Sequence, residues 1–276
     1  GACCVPSSDV LIRCEHLVKV YDSPTGRVQA VRGVDLDIER AVTTAVVGPS
    51  GSGKSSLLRM IAALDPPTAG MVTIGDEDLN SMGEGRRARR RGQLLTHVYQ
   101  RPRDNLLAHL TAAQQLLRIA RPRTDGPVIV EEALDDLGLD HRRNHLPSTM
   151  SGGEQQRLAF ARAVVAGHDL VIADEPTAEL DAASARAVLD TIDLLAGRGI
   201  TVLVATHDPR VLARASEVVM LRDGAIASVT AAGSEMAIID RSGRLQLPPE
   251  VRGSFPERKA LLSFDAESGR LTVDPP

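Results

Sequence analysis

The sequence contains no tryptophan, and only two tyrosines and three phenylalanines among its 276 residues. A chain so poor in rings cannot build the aromatic platforms on which single-stranded nucleic acid stacks. Positive charge is not in excess either. Lysine and arginine total 32 against 36 aspartates and glutamates, a formal charge of −4, which excludes a globally basic nucleic-acid binder. The three cysteines, Cys3, Cys4 and Cys14, are too few and too clustered for a disulfide framework, so a reducing, intracellular compartment is expected. Cys3-Cys4 has no third ligand nearby, and it is expected to lie in a frayed, disordered N-terminus over residues 1–9. Long apolar runs are missing too. Those present, such as Ile200 to Ala205, are strand-sized, so any work at a membrane requires a partner that supplies the spanning part.

What is present is apolar content of 43%, enough to fill the core of one large α/β domain with a small appendage. The stretch that organises the rest is Gly48-Pro49-Ser50-Gly51-Ser52-Gly53-Lys54-Ser55-Ser56, which fits the phosphate-binding loop pattern. Val42 to Val47 before it reads as a buried strand, and Ser55 to Leu64 after it reads as a helix. Glycines let the backbone turn its N–H groups toward a triphosphate, and the helix N-terminus adds positive potential. Lys54 is placed to reach the β- and γ-phosphates, and Ser55 to give its hydroxyl to Mg²⁺. A glycine-rich turn that binds nothing has the same local features, so the residues downstream must decide.

Around this loop, Val10 to Val20 and Val28 to Ile38 read as an antiparallel pair joined by a turn over Tyr21 to Gly26. Met71 to Ile74 returns as a strand. Residues 78 to about 148 turn helical and charged, with Leu94 to Tyr99 as a strand among them and helices over Thr111 to Ala120 and Val130 to Leu137. The run Arg86-Arg87-Ala88-Arg89-Arg90-Arg91 has the charge to grip phosphates or anionic lipid, but a solvated helix face is the expectation. Ser151 N-caps a helix that runs to Val165. Leu170 to Ala173 and Thr201 to Ala205 are buried strands separated by an amphipathic helix over Ala183 to Leu195. Val218 to Leu221 and Ala225 to Val229 close with a hairpin. Strands alternating with helices predict a largely parallel sheet covered on both faces.

The downstream chemistry begins with Asp174-Glu175, at the end of an apolar strand, where carboxylates are costly unless they face a cation or a polar site. Asp174 suits a second Mg²⁺ anchor, and Glu175, on the opposite side, suits polarising an attacking water. His207, at the end of the next strand after Thr206, is a candidate γ-phosphate sensor.

Together these residues resemble an ATP-binding cassette (ABC) ATPase over about Leu11 to Val229. The resemblance implies an α/β P-loop fold with a mixed sheet core, an antiparallel β subdomain and a helical subdomain over about 79–165. It also implies residue roles. Tyr21 would stack on adenine, Gly48 to Ser56 would be the Walker A loop, and Gln100 would be the glutamine that senses Mg²⁺ and the transmembrane partner. Met150-Ser151-Gly152-Gly153-Glu154 is similar to the signature motif, with methionine where leucine is usual. Asp174 and Glu175 would be the Walker B aspartate and catalytic glutamate. Ala178-Glu179-Leu180-Asp181 resembles the D-loop, with Asp181 at the nucleotide interface, and His207 the switch histidine. The family mechanism is an ATP sandwich between the P-loop of one copy and the signature serine and glycines of another, hence a homodimer that uses ATP and Mg²⁺. Gln100 followed by Asn105-Leu106-Leu107-Ala108-His109-Leu110-Thr111-Ala112 resembles the lipoprotein-release, macrolide-export and FtsE-type class, although the loop Arg101 to Asp104 is longer. A separate permease, FtsX-like, at the cytoplasmic face of the membrane is the partner this implies.

Thr230 to about residue 235 reads as a linker. Residues 236–276 read as strand, turn and strand, followed by a hairpin over Ala260 to Phe264 and Arg270 to Val273. This part resembles a swapped-hairpin (AbrB/SpoVT-like) module. Such modules bind DNA in regulators. Here acidic and basic residues nearly balance, so dimerisation or docking is expected and nucleic acid is not. The alternative is a soluble ABC ATPase or regulator acting on nucleic acid, with this module as DNA reader; a plain β-tail packed on the cassette is the third possibility.

Overall fold

The computed structural model describes residues 9–24, 26–120, 124–231, 234–236, 261–265 and 270–274. Strands β1 (Val10–Ser23) and β2 (Gly26–Glu39) pair antiparallel, and β4 (Ala69–Ile74) adds to the other edge of β1, making a three-stranded sheet. The turn expected over Tyr21 to Gly26 is shorter than its residue types suggest. The ladder continues through Tyr21 opposite Val28, Asp22 opposite Arg27 and Ser23 opposite Gly26. Continued pairing keeps these backbone N–H and C=O groups satisfied where an early turn would release them. Tyr21 is therefore a strand residue, two positions from Lys19 and on the same face.

The main sheet is built from β3 (Thr43–Val47), β5 (Leu95–Val98), β6 (Leu170–Asp174), β7 (Thr201–Ala205), β8 (Glu217–Arg222), β9 (Ala225–Ala231) and β10 (Ser234–Met236). Their order is β10-β9-β8-β3-β7-β6-β5. The pairs β8-β3, β3-β7, β7-β6 and β6-β5 are parallel, and β9 and β10 add antiparallel at one edge. Every residue of β3 and β7 is buried, because helices cover both faces of a parallel sheet. Thr230 and Ala231, expected to begin a linker, instead extend β9, and Ser234 to Met236 fold back against it. That hairpin gives the edge of β9 a partner.

Helix α1 (Lys54–Ile61) follows β3 and packs its Leu57, Leu58, Met60 and Ile61 into the core between the two sheets. Cys14 is buried in the same core, where burial raises its thiol well above the usual range. Helix α2 (Glu84–Leu94) carries the arginine run and buries none of its residues. Arg90 pairs with Glu77, and Arg91 donates to the Ala63 carbonyl at 3.0 Å, so the run is a solvated helix face as expected. Helices α3 (Ala112–Ala120), α4 (Gly126–Asp136) and α5 (Gly152–Ala166) form the helical subdomain around Leu116, Leu134, Leu139 and Leu158. Helix α4 starts four residues earlier than its apolar spacing predicts, because Pro127 fits a first turn where no N–H is needed. Helix α6 (Ala182–Gly197) and the short α7 (Pro209–Leu212) complete the cover. β11 (Leu261–Asp265) and β12 (Arg270–Asp274) form the expected hairpin as a separate two-stranded sheet. The strands expected over residues 237–248 lie outside the described residues.

Candidate active site

Parallel strands place their carboxyl ends along one edge of the sheet, and that edge is where the chemistry gathers. The P-loop leaves β3, Gln100 follows β5, Asp174 and Glu175 end β6, and His207 follows β7. Adjacent register ties them together. Val46 lies opposite Ala205, Asp174 lies opposite Ala205 from the other side, and the Glu175 N–H donates to the Ala205 carbonyl at 2.8 Å.

A cleft of about 660 Å³ opens at this edge, lined by Tyr21, Ala30, Gly48, Ser50, Gly51, Gly53, Lys54, Ser55, Ser56, Gln100, Glu175 and His207. All but Ala30 were sequence candidates. The loop needs its glycines. Gly48 and Gly53 have φ of +149° and +100°, and a Cβ there would sit 2.0 Å from the Leu221 carbonyl oxygen and 2.2 Å from that of Ala30. Lys54 Nζ donates to the carbonyls of Gly48 at 2.9 Å and Pro49 at 3.2 Å, which curls the loop around the ammonium. Ser52 is only 3% exposed, and its hydroxyl has no partner, an orphaned polar group in the wall of the loop. Orphaned donors are costly in an apolar setting and ordinary in an anion cradle.

Asp174 is hydrogen-bonded to Ser55 behind the cleft wall. Burial raises its carboxyl above the usual range, Glu175's charge adds to that, and Ser55 and Lys54 oppose it. A buried carboxylate beside a hydroxyl is a donor pair for a hard cation. Among the described residues no group of three or more His, Cys, Asp or Glu side chains is placed to hold a metal. The donors present suit an ion that takes its other ligands from phosphate and water, as Mg²⁺ does.

Glu175 adopts φ +46°, the left-handed region that a side chain enters only under constraint. The twist aims its carboxylate at His207: Oε1 lies 2.8 Å from Nδ1, and Oε2 accepts the His207 N–H at 3.3 Å. Asp208 holds the loop behind. Arg210 chelates its carboxylate and Thr177 donates to it at 2.8 Å. The Arg210 hydrogen bonds outweigh burial and hold Asp208 at about 2. Asp208, Thr177 and Arg210 were not sequence candidates. Arg210 meets Asp208 within one loop, where Asp208 N-caps α7, while only the approach of the loops after β6 and β7 brings Thr177 to them.

Tyr21 stands at the rim. Its hydroxyl donates to Asp65 Oδ2 at 2.9 Å and lies 3.3 Å from Ser56 Oγ. Lys19 Nζ is 5.1 Å from the ring centroid and donates to Asp65 Oδ1 at 2.5 Å and to the Pro66 carbonyl at 2.7 Å. Burial raises the Tyr21 hydroxyl, so it stays a donor. Burial would also raise Asp65, but hydrogen bonds from Lys19 and Tyr21 together with the Lys19 charge hold it low. Gln100 is positioned by groups that sequence reasoning missed. The backbone of Tyr99, just before it, is gripped by Asn105 (Oδ1 accepting its N–H at 2.7 Å) and by Gln156 of α5 (Nε2 donating to its carbonyl at 3.2 Å).

Ser151, Gly152, Gly153, Glu154 and Asp181 do not line this cleft. They form a second constellation. Ser151 N-caps α5 with a full capping box: its Oγ accepts from the Glu154 N–H at 3.2 Å, and Glu154 Oε2 accepts from the Ser151 N–H at 2.7 Å. The Gly153 Cα lies so close to α6 that a Cβ would stand 2.7 Å from Ser184 Cβ. Asp181 N-caps α6, accepting from the N–H groups of Ala183 and Ser184, both at 2.9 Å. Burial pushes the Glu154 carboxyl up, but the Ser151 N–H and Arg142, at 2.9 Å, outweigh it and hold it at about 2 against an ordinary 4.5. A depressed carboxyl stabilises the fold above its unfolded value and loses that contribution as pH falls. The stability deficit of Glu154→Gln is therefore expected to be about 1–2 kcal/mol at neutral pH and to close between pH 4.5 and about 2. Urea titrations across that range check it, and a deficit that persists at pH 2 would refute the assignment.

A P-loop beside a Walker-type acid pair on a parallel sheet, with a capped Ser-Gly-Gly helix start on a helical subdomain, defines an ATP-binding cassette. Comparison with known proteins agrees. The family described as "ABC transporter" matches residues 31–178. The lipoprotein-releasing system ATP-binding protein LolD of Legionella pneumophila (strain Paris) is 38% identical over 79% of this chain and 98% of its own length. The macrolide export ATP-binding/permease protein MacB of Escherichia coli (strain K12) is 35% identical over 78% of this chain, which spans 34% of MacB. A dimeric post-hydrolysis state of the ATP-binding cassette MJ0796 bound to ADP and Pi superposes with a TM-score of 0.72 at 29% identity, covering 80% of this chain and 98% of that one. The chain belongs to the ABC transporter family. It is the ATP-binding, ATP-hydrolysing subunit of such a transporter.

Proposed function

We propose that two copies of this chain close head to tail around ATP and so drive a separate membrane permease of the lipoprotein-release, macrolide-export or FtsE/FtsX kind. One observation carries the reading. The P-loop cleft gathers Lys54, Ser55, Gln100, Glu175 and His207, and the signature residues lie elsewhere on the same chain, at the start of α5. An incomplete site and a spare complementary surface on one chain are satisfied by a second copy.

In this reading Gly48, Pro49, Ser50, Gly51, Ser52 and Gly53 cradle the phosphates, and Ser56 supports the Tyr21 rim. Lys54 leaves the Gly48 and Pro49 carbonyls for the β- and γ-phosphate oxygens. Tyr21 stacks on the base. Ser151, Gly152 and Gly153 of the other copy, at a helix start, meet the γ-phosphate, with Glu154 bracing that start and Asp181 shaping the loop opposite. Ser55 and Asp174, with Gln100 lining the same cleft, would hold a Mg²⁺ ion, which neutralises charge on the phosphate oxygens when bound. Glu175 orients the attacking water and takes its proton, while His207 keeps the carboxylate aimed and contacts the γ-phosphate. Loss of the γ-phosphate removes the group that both copies share, and the pair opens.

Among the described residues no helix is long and apolar enough to cross a membrane. The relatives' names, a lipoprotein-releasing system and a macrolide exporter, support export-type partners. Recovery of a multi-span protein with this chain from detergent extract, and its loss when Gln100 and Tyr99 are replaced, tests the reading; recovery of salt-sensitive DNA instead would overturn it.

The β11-β12 hairpin supports a self-association role for the C-terminal segment, since an isolated two-stranded sheet is marginal without a partner. Removing residues 237–276 is expected to weaken nucleotide-free self-association about tenfold or more while sparing ATP binding. Sedimentation velocity reads this directly, and an unchanged association constant would exclude the role.

A further inference from the structure

Tyr21 is anchored by its hydroxyl and along one face, and two of the residues that hold it, Lys19 and Asp65, lie outside the cleft wall. We propose that Lys19 and Asp65 are positioning residues for nucleobase recognition. They fix the Tyr21 ring by its hydroxyl and one face, leaving the other face as the stacking surface. The inference rests on Tyr21 meeting the base, as proposed above.

The geometry is a closed triangle. Asp65 accepts from the Tyr21 hydroxyl through Oδ2 (2.9 Å) and from Lys19 through Oδ1 (2.5 Å), and the Lys19 ammonium sits 5.1 Å from the Tyr21 centroid. Lys19 and Tyr21 are alternate residues of β1 and share a face, so the strand itself brings the cation over the ring. The Pro66 carbonyl, 2.7 Å from Nζ, prevents the ammonium from swinging into solvent. A cation on one face has two effects. It excludes a base from that side, and it draws electron density from the ring, which favours stacking of an electron-rich purine on the free side.

Asp65 also ties the platform to the phosphate cradle. It lies just beyond α1, its N–H donating to the Arg59 carbonyl at 3.2 Å, and the first turn of α1 carries Lys54, Ser55 and Ser56. The Tyr21 hydroxyl touches both ends of this element, through Asp65 and Ser56. The spacing between base and phosphates is thereby set by a rigid helix and not by the freedom of a tyrosine on a hairpin end. Preorganisation of this sort cuts the ordering cost of binding.

The test compares two probes on the full chain with magnesium: ATP, and inorganic tripolyphosphate, which has no base. Asp65→Ala and Lys19→Met are each expected to weaken ATP about tenfold, within the range a stacked base is worth, and to change tripolyphosphate by less than about twofold. Tyr21→Phe, which keeps the ring and removes the anchor, is expected to fall between wild type and Tyr21→Ala. In a Tyr21→Ala background, Asp65→Ala is expected to cost ATP nothing further. Equal losses for both probes, or an undiminished Asp65→Ala effect without Tyr21, would mean a purely structural role and overturn the inference. If Tyr21→Ala lowers the ATP-to-tripolyphosphate ratio while Asp65→Ala and Lys19→Met leave it alone, only the positioning role falls. If Tyr21→Ala itself leaves the ratio unchanged, base stacking on Tyr21 falls and takes the positioning role with it.

Discussion

Glu175→Gln is expected to bind ATP at wild-type strength and to turn it over at least about a hundredfold more slowly, with a nucleotide-bound dimer accumulating. The argument rests on what the carboxylate does where it stands. It is held on a strained backbone at φ +46°, its side chain is 15% exposed, and its oxygens are aimed by the His207 ring and N–H. Glutamine is nearly isosteric and can keep a contact to His207, so the cleft keeps its shape and its affinity. What it loses is the ability to take a proton from water. Binding, closure and chemistry then separate. Single-turnover hydrolysis reads the chemical step, and light scattering or gel filtration with ATP reads the dimer. Turnover within about tenfold of wild type would remove Glu175 from the proton-accepting role.

Lys54→Met is expected to fail earlier, at binding. Its ammonium now satisfies the Gly48 and Pro49 carbonyls, so removing it costs the loop two internal contacts as well as the triphosphate its nearest cation. A charge-assisted contact to phosphate is worth roughly 2–3 kcal/mol, and the affinity for ATP should fall about a hundredfold. Methionine keeps the length and the apolar stem, so collapse of the helix is not the cause. Titration calorimetry with ATP and magnesium checks the size. The two variants are expected to form a pair with opposite signatures, Lys54→Met preventing the proposed closed dimer and Glu175→Gln trapping it. An ATP affinity within twofold of wild type in Lys54→Met would contradict the cradle as drawn.

Much of the site was legible in the sequence, because each part is a local device. A glycine at positive φ, a serine at a helix start and an acid pair closing an apolar strand are short-range necessities, and short-range necessities leave residue patterns. The glycines of the P-loop are an instance: a side chain at Gly48 or Gly53 collides with backbone. The capping box of Ser151 and Glu154 is another, spanning one turn. What was not legible involves partners far apart in the chain. Lys19 and Asp65 are ordinary charges until β1 is laid beside the end of α1. Asn105 grips Tyr99 from within the same loop, but Gln156 joins that clamp on the Gln100 loop only when α5 packs there. The strand that runs on through Tyr21, and the hairpin formed where a linker was expected, are also long-range outcomes. Polar, turn-forming residues set a preference there, and ladder pairing overrode it.

The sequence alone carried the residue pattern of an ATP-binding cassette in its order, and its 43% apolar content with −4 net charge suits a globular protein and not a nucleic-acid coat. Tertiary structure alone decided which parts meet. Parallel pairing of β3, β7, β6 and β5 brings four loops distant in the chain to one edge, while Ser151 is carried away on α5. The physical reason is that strand register is set by cooperative pairing and burial across the whole sheet, which no window of residues encodes by itself.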